Sequence, residues 1–221
     1  MAPAPRLVGL ALGISVAALI LLVGPLLLFN PAFTSLLQQR HGVAASFDTT
    51  QADVDRVTSE LLADIWTDGD FEAALEGQTS LLDANERSHM HDVAVLVRLL
   101  GIIALVAAAI AVVTWFVMRR ERYRRGMTLM LAAAGVGAAG VSLGILFAVA
   151  FEQAFLTFHV LLFPPGTYLF EPGSNLITLF PQPFWFEAAL AAGVTIVISA
   201  ALVGFVGYRL IRGADRPPDH A

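Results

Sequence analysis

Three of the five histidines, His89, His91 and His159, stand at the edges of long apolar runs, and two of them have carboxylates at helical spacing. In Glu86-Arg87-Ser88-His89-Met90-His91-Asp92 a helix places Glu86, His89 and Asp92 three apart, each one turn from the next. A carboxylate beside an imidazole fixes its tautomer and raises its basicity, which suits general acid–base work near neutral pH. His89 and His91 are about 200° apart around such a helix, so only one of them faces a given site. Glu152 and His159 are seven apart and fall nearly on one face. Arg98 is the lone charge in its apolar run; such a residue points into a bundle, snorkels to the interface, or polarises a substrate carbonyl. His41, in a polar stretch, and His220, near the C-terminus, read as solvated surface residues. No HExxH-type pattern is present, and a metal would have to gather His159 with Glu86 or Asp92, so no metal and no cofactor is expected. The absence of Cys removes disulfides, zinc thiolates and a Cys nucleophile.

These residues must be positioned by a chain of 221 residues that is 57% hydrophobic and 14% charged. Soluble domains carry about 45–50% apolar and 25% charged residues, so an ordinary globule and a disordered chain are both excluded. The net charge of −5, with 13 Arg and no Lys, leaves no overall basic field for nucleic acid. Four runs satisfy the requirement of roughly 20 apolar residues for crossing a bilayer, at about 7–29, 93–118, 127–151 and 188–208. The expected fold is an all-α membrane protein, a single polytopic domain over 1–221. Gly135, Gly137, Gly140 and Gly144 in the third run favour close helix packing. The first run is too long for a signal peptide, and Asn30-Pro31-Ala32-Phe33 lacks a small-x-small cleavage pattern.

Arginine placement predicts the orientation. Five Arg lie in 119–126, three in the tail 209–221, and Arg6 precedes the first run, so these parts and both termini are expected to be cytoplasmic. The outer loops are then 30–92, with twelve acidic residues against three Arg, and 152–187, with no Arg. In the first loop, Val54, Val57, Leu61 and Ile65 share one face of a predicted helix capped by Thr50 with Asp53. A second short helix is predicted at about 70–76, stopped by Gly77. Asp83 with Glu86 opens a third, continuous with the second span. The second loop holds five Pro from Pro164 onward and many aromatics, so it is expected at the membrane interface or dipping into it. The tail from Asp215, with Pro217-Pro218, is expected to be disordered.

Two stretches resemble the hallmarks of a known family. Glu86-x-x-His89-Met90-x-Asp92-Val93 is similar to one motif of the bacterial lipoprotein intramolecular transacylases, the Lit family. Phe158-His159, Phe163, Asn175-Leu176-Ile177 and Leu179-Phe180-Pro181 to Phe184 are similar to the other, and the four-span topology matches. The chain departs from the family pattern at Ala94, where Lys is frequent, at Tyr168, where Trp is frequent, and at Glu152 and Asn175, where Asp is common. The resemblance implies acyl transfer at the outer face of the bacterial cytoplasmic membrane. An acyl chain would move from the sn-2 ester of a diacylglyceryl-modified lipoprotein to its N-terminal Cys amine, giving the lyso-form. Its partners would be such lipoproteins and membrane lipid. The family's two essential histidines would be His89 and His159, with Glu86, Asp92, Glu152 and Arg98 supporting them. Phe158, Phe163, Tyr168, Asn175 and Trp185 would line the substrate. His159 is the favoured base with Glu152 behind it, and His89 the acid or oxyanion partner with Glu86 or Asp92, although the two roles can be exchanged. The alternative is a non-catalytic scaffold or sensor that binds lipid or a partner through its outer loops. A separation of more than about 10 Å between the two imidazoles would exclude shared chemistry. A transporter is disfavoured by the lack of an inverted repeat.

Overall fold

The computed structural model describes residues 4–77 and 79–214. Over these residues the chain is all-helical, with no strand. Four helices are long and apolar enough to cross a membrane: α1 (Ala4–Leu27), α5 (Ala84–Val117), α6 (Arg122–Val149) and α9 (Gln182–Ala214). Between them lie α2 (Pro31–Arg40), α3 (Val43–Ser46), α4 (Gln51–Thr67), α7 (Phe151–Leu162) and α8 (Asn175–Leu179). Arg216, His220 and the rest of the tail from Asp215 lie outside the described residues. The internal contacts divide into two compact units, and the long helices contribute residues to both.

The first unit comprises residues up to Gly24, Ile102–Leu143 and Gly193 onward. Ile20, Ala133, Val136 and Ala200 form its buried cluster. Glycine permits a close approach of α6 and α9 at Gly126 and Gly207, outside the four-glycine group of the third run. A Cβ on Gly126 would stand 2.6 Å from the Gly207 carbonyl oxygen, and one on Gly207 would stand 2.6 Å from that of Gly126. Of the four glycines singled out in the third run, Gly137 and Gly140 meet Ala200 and Ile196 of α9, while Gly135 and Gly144 meet nothing within 4 Å. Arg125 is buried, with its guanidinium 4.0 Å from the centre of the Trp115 ring.

The second unit, Pro25–Gly101 with Gly144–Ala192, holds all the candidate site residues. Asn30 opens α2, its Oδ1 accepting the Ala32 and Phe33 amides, with Pro31 at the first helical position. Thr50 caps α4 through the Asp53 amide at 3.1 Å. Val54, Val57, Leu61 and Ile65 are buried as the 3.6-residue period required. They join Leu81, Leu82, Met90, Ala94 and Leu179 in one core. Gln38, fully buried, hydrogen-bonds the Thr58 hydroxyl and donates to the Leu179 carbonyl at 3.1 Å.

The short helix expected at 70–76 does not form. That stretch is irregular, and it buries Phe71, Ala73 and Leu75 in alternation, a period of two rather than the 3.6 of a helix. Asp64 competes for the backbone by accepting the Phe71 amide at 3.0 Å, and Phe71 adopts φ 56°, outside the helical region.

Candidate active site

The first histidine is carried by α5, whose start is fixed by a reciprocal cap. Asp83 Oδ1 accepts the amides of Asn85 and Glu86, and Glu86 Oε2 accepts the Asp83 amide at 2.8 Å. The other oxygen of Glu86 accepts the Leu176 amide, also at 2.8 Å, from the first turn of α8. Glu86 is 1% exposed, and both carboxylate oxygens are thus committed to backbone N–H groups. Asn175 Nδ2 donates to the Leu81 carbonyl at 2.6 Å beside it. These two residues therefore bind α8 to the start of α5. His89 follows Glu86 by one turn and is 6% exposed.

The second histidine is carried by α7. The chain breaks at Ala150, at φ −134° and ψ 48°, and restarts as a helix at Phe151. Spacing of four places Phe151, Phe155 and His159 along one face. The rings follow it, with centroids 5.5 Å apart for Phe151–Phe155 and 4.3 Å for Phe155–His159. His159 Nδ1 lies 2.7 Å from the Phe155 carbonyl oxygen, which can only accept. The Nδ1–H therefore donates, and Nε2 keeps the lone pair. Burial pushes the His159 pKa below the ordinary imidazole value, and the hydrogen bond to Phe155 opposes this only in part.

The two imidazoles stack with centroids 5.9 Å apart and planes inclined by 27°. Phe163 packs on both, at 4.9 Å from His89 and 5.4 Å from His159. Tyr168 and Phe158 lie 5.5 Å and 5.3 Å from His159, and Phe170 lies 5.6 Å from His89. The pair offers a lone pair for a proton, a second imidazole nearby and an apolar wall.

Not every expected supporter is there. Glu152 is exposed and accepts from Gln182 Nε2 at 3.2 Å. Seven residues along α7 put it about 10 Å from His159 along the axis, too far for a hydrogen bond. Arg98 is paired with Asp68 at 2.8 Å. Glu86 serves α8 rather than the imidazole of His89, and Asn175 serves the Leu81 carbonyl. Trp185 stands one ring removed, 6.1 Å from Phe155. His91 packs on Phe71 at 4.9 Å, on another side of α5. His41 faces Glu187 at 3.3 Å. Asp92 remains within electrostatic range of His89. Phe155 and Phe170 were missed; the spacing of four from His159 signalled the first, whereas Phe170 returns only through the Pro164-Pro165-Gly166 turn. Among the described residues no group of three or more His, Asp or Glu converges as a metal site would.

The model of the lipoprotein intramolecular transacylase Lit family matches residues 8–185. The chain belongs to this family. Its structure is similar to that of the membrane integral lipoprotein intramolecular transacylase Lit from Bacillus cereus, with a TM-score of 0.84 at 20% identity, covering 95% of this chain and 96% of that one. Two variants of the Bacillus cereus protein, with a histidine replaced by arginine or by alanine, each give a TM-score of 0.77 at 19% identity over 95% of this chain, covering 92% and 94% of theirs. At such identities the likeness is one of fold. An uncharacterized protein of Aquifex aeolicus (strain VF5) is 31% identical over 74 residues, 32% of this chain; the match spans 34% of that relative.

Proposed function

We propose that this protein moves an acyl chain within a diacylglyceryl-modified lipoprotein, from the sn-2 ester oxygen to the α-amine of the N-terminal cysteine, leaving a lyso-form lipoprotein. The observation that carries the reading is the stacked pair His89–His159 inside an aromatic wall, in a chain of the Lit family.

The α-amino group has a pKa near neutrality, so one proton must leave it before it attacks. His159 Nε2 takes that proton, because Nδ1–H is held on the Phe155 carbonyl. The amine nitrogen then forms a bond to the ester carbonyl carbon, and the carbonyl oxygen becomes an oxyanion. Collapse breaks the bond between that carbon and the glyceryl oxygen. The adduct nitrogen still carries two N–H protons, and one of them passes to an imidazole, which delivers it to the departing glyceryl oxygen. Counted from the α-ammonium, one C–N bond forms and one C–O bond breaks; of the two protons that leave nitrogen, the first goes by way of His159 to solvent and the second ends on the glyceryl oxygen. His89 stabilises the oxyanion or delivers the proton to the leaving oxygen. Nucleophile and ester belong to one molecule, so holding them in register supplies much of the acceleration. No acyl-enzyme is needed.

The Arg-rich segment 119–126 against the acidic loop 30–92 supports cytoplasmic termini, with the histidines at the outer face of the bacterial cytoplasmic membrane. The test is conversion of a synthetic diacylglyceryl-cysteinyl peptide by purified protein, followed as loss of the free α-amine. His89→Ala and His159→Ala are each expected to lower turnover by about 10²–10⁴-fold, the usual share of an acid–base group, while His91→Ala stays active. Full turnover in either of the first two variants overturns the reading.

A further inference from the structure

The ladder on α5 has a carboxylate on each side of His89, and the two are not equivalent. Glu86 has a backbone N–H on each oxygen. Asp92 keeps a buried oxygen, Oδ2, that accepts from nothing among the described residues. His89 Nδ1, one turn away, is likewise buried with no hydrogen-bond partner. Buried polar atoms nearly always find partners, and an unpaired carboxylate oxygen is the costlier kind to leave without one.

The resident cations do not serve it. Four arginines lie in this compact unit, and each is engaged elsewhere. Arg40 pairs with Glu187, Arg87 with Glu72 and Arg98 with Asp68. Arg56 pairs with Asp53 and Glu60. A carboxylate oxygen that is buried, beside the imidazole pair and without a resident cation fits a cationic N–H donor brought by a ligand. On the transacylase reading, on which this inference rests, the substrate brings one such group, the α-ammonium of its terminal cysteine.

We propose that Asp92 Oδ2 accepts a hydrogen bond from the substrate α-ammonium and holds that nitrogen beside the two imidazoles. Of its remaining N–H groups, one gives its proton to His159 Nε2; the electron pair stays on nitrogen, which becomes the nucleophile. Asp92 thus recognises the charged N-terminus and leaves the ester to other groups.

The test uses full-length protein in lipid nanodiscs and dialkylglyceryl-cysteinyl peptides, whose ether linkages offer no acyl group to transfer. Three probes differ only at the nitrogen: free α-amine, N-methyl, which keeps the charge and adds bulk, and N-acetyl, which removes the charge. Wild type is expected to bind the first two about tenfold or more tighter than the third, the worth of one charge-assisted hydrogen bond. Asp92→Asn is expected to bind all three alike. Asp92→Ser, smaller and uncharged, gives the same readout if the Asn variant does not fold. Equal binding of the three probes by wild type, or a preference that survives loss of the Asp92 charge, overturns the inference. A wild-type protein that converts the ester peptide while showing either result refutes Asp92 alone. One that leaves the ester peptide unchanged refutes the transacylase reading as well.

Discussion

On the proposed reading, a single hydrogen bond decides which nitrogen takes the proton. His159 Nδ1 lies 2.7 Å from the Phe155 carbonyl oxygen, so the lone pair is on Nε2 and the ring is ready as a base without a carboxylate behind it. Burial lowers its pKa, which keeps the ring neutral to a more acid pH than an ordinary histidine. The sign follows directly: a base is lost when it is protonated, and here protonation needs a pH below the ordinary imidazole value of about 6.5. The acid limb of the kcat–pH profile is expected below that value; a limb at or above it contradicts the assignment. The two histidines were legible in the sequence because they stand where apolar runs end and share motifs with a family. Glu152 and His159 share a predicted face, but two turns of helix separate them. Asp92 and Glu86 looked alike at spacings of three, and only the third dimension brings the Leu176 amide to one of them.

At the scale of elements, α8 has five residues and cannot be stable by itself. Ser174 caps it through the Ile177 amide, and Glu86 takes the Leu176 amide. Glu86 thereby fixes the loop that carries Tyr168 and Phe170 to the helix that carries His89. Glu86→Ala leaves two backbone N–H groups without their acceptor and is expected to cost roughly 2–5 kcal/mol. Thermal unfolding reads the cost as a lowered Tm. Glu86→Gln, which keeps one good acceptor, is expected to fall between Ala and wild type in both Tm and turnover. An alanine variant with unchanged Tm contradicts the clamp. The face of α4 was legible because seventeen residues repeat a strong pattern, whereas the stretch at 70–76 was not. Seven residues fit a helix as well as an extended strip, and the Asp64 bond to the Phe71 amide decides between them.

For the whole molecule, the 57% of hydrophobic residues proved to be four long helices and, beyond them, the aromatic wall around two imidazoles. A reaction between two groups of one lipid-anchored molecule calls for such a wall, because apolar shape positions acyl chains while a few polar atoms handle protons. The four apolar helices were plain from composition and run length. The meeting of His89 and His159, seventy residues apart, could be suspected only from the family's motifs, since no local period links α5 to α7. The central claim is a chemical change in lipoproteins, and it is read most directly by mass spectrometry of lipoprotein N-terminal peptides from bacterial membranes expressing this protein. The expected result is an acyl chain on the cysteine nitrogen with a matching loss from the glyceryl sn-2 position, absent in the His159→Ala variant. Unaltered diacylglyceryl cysteine, with intact protein present in the membrane, contradicts the account.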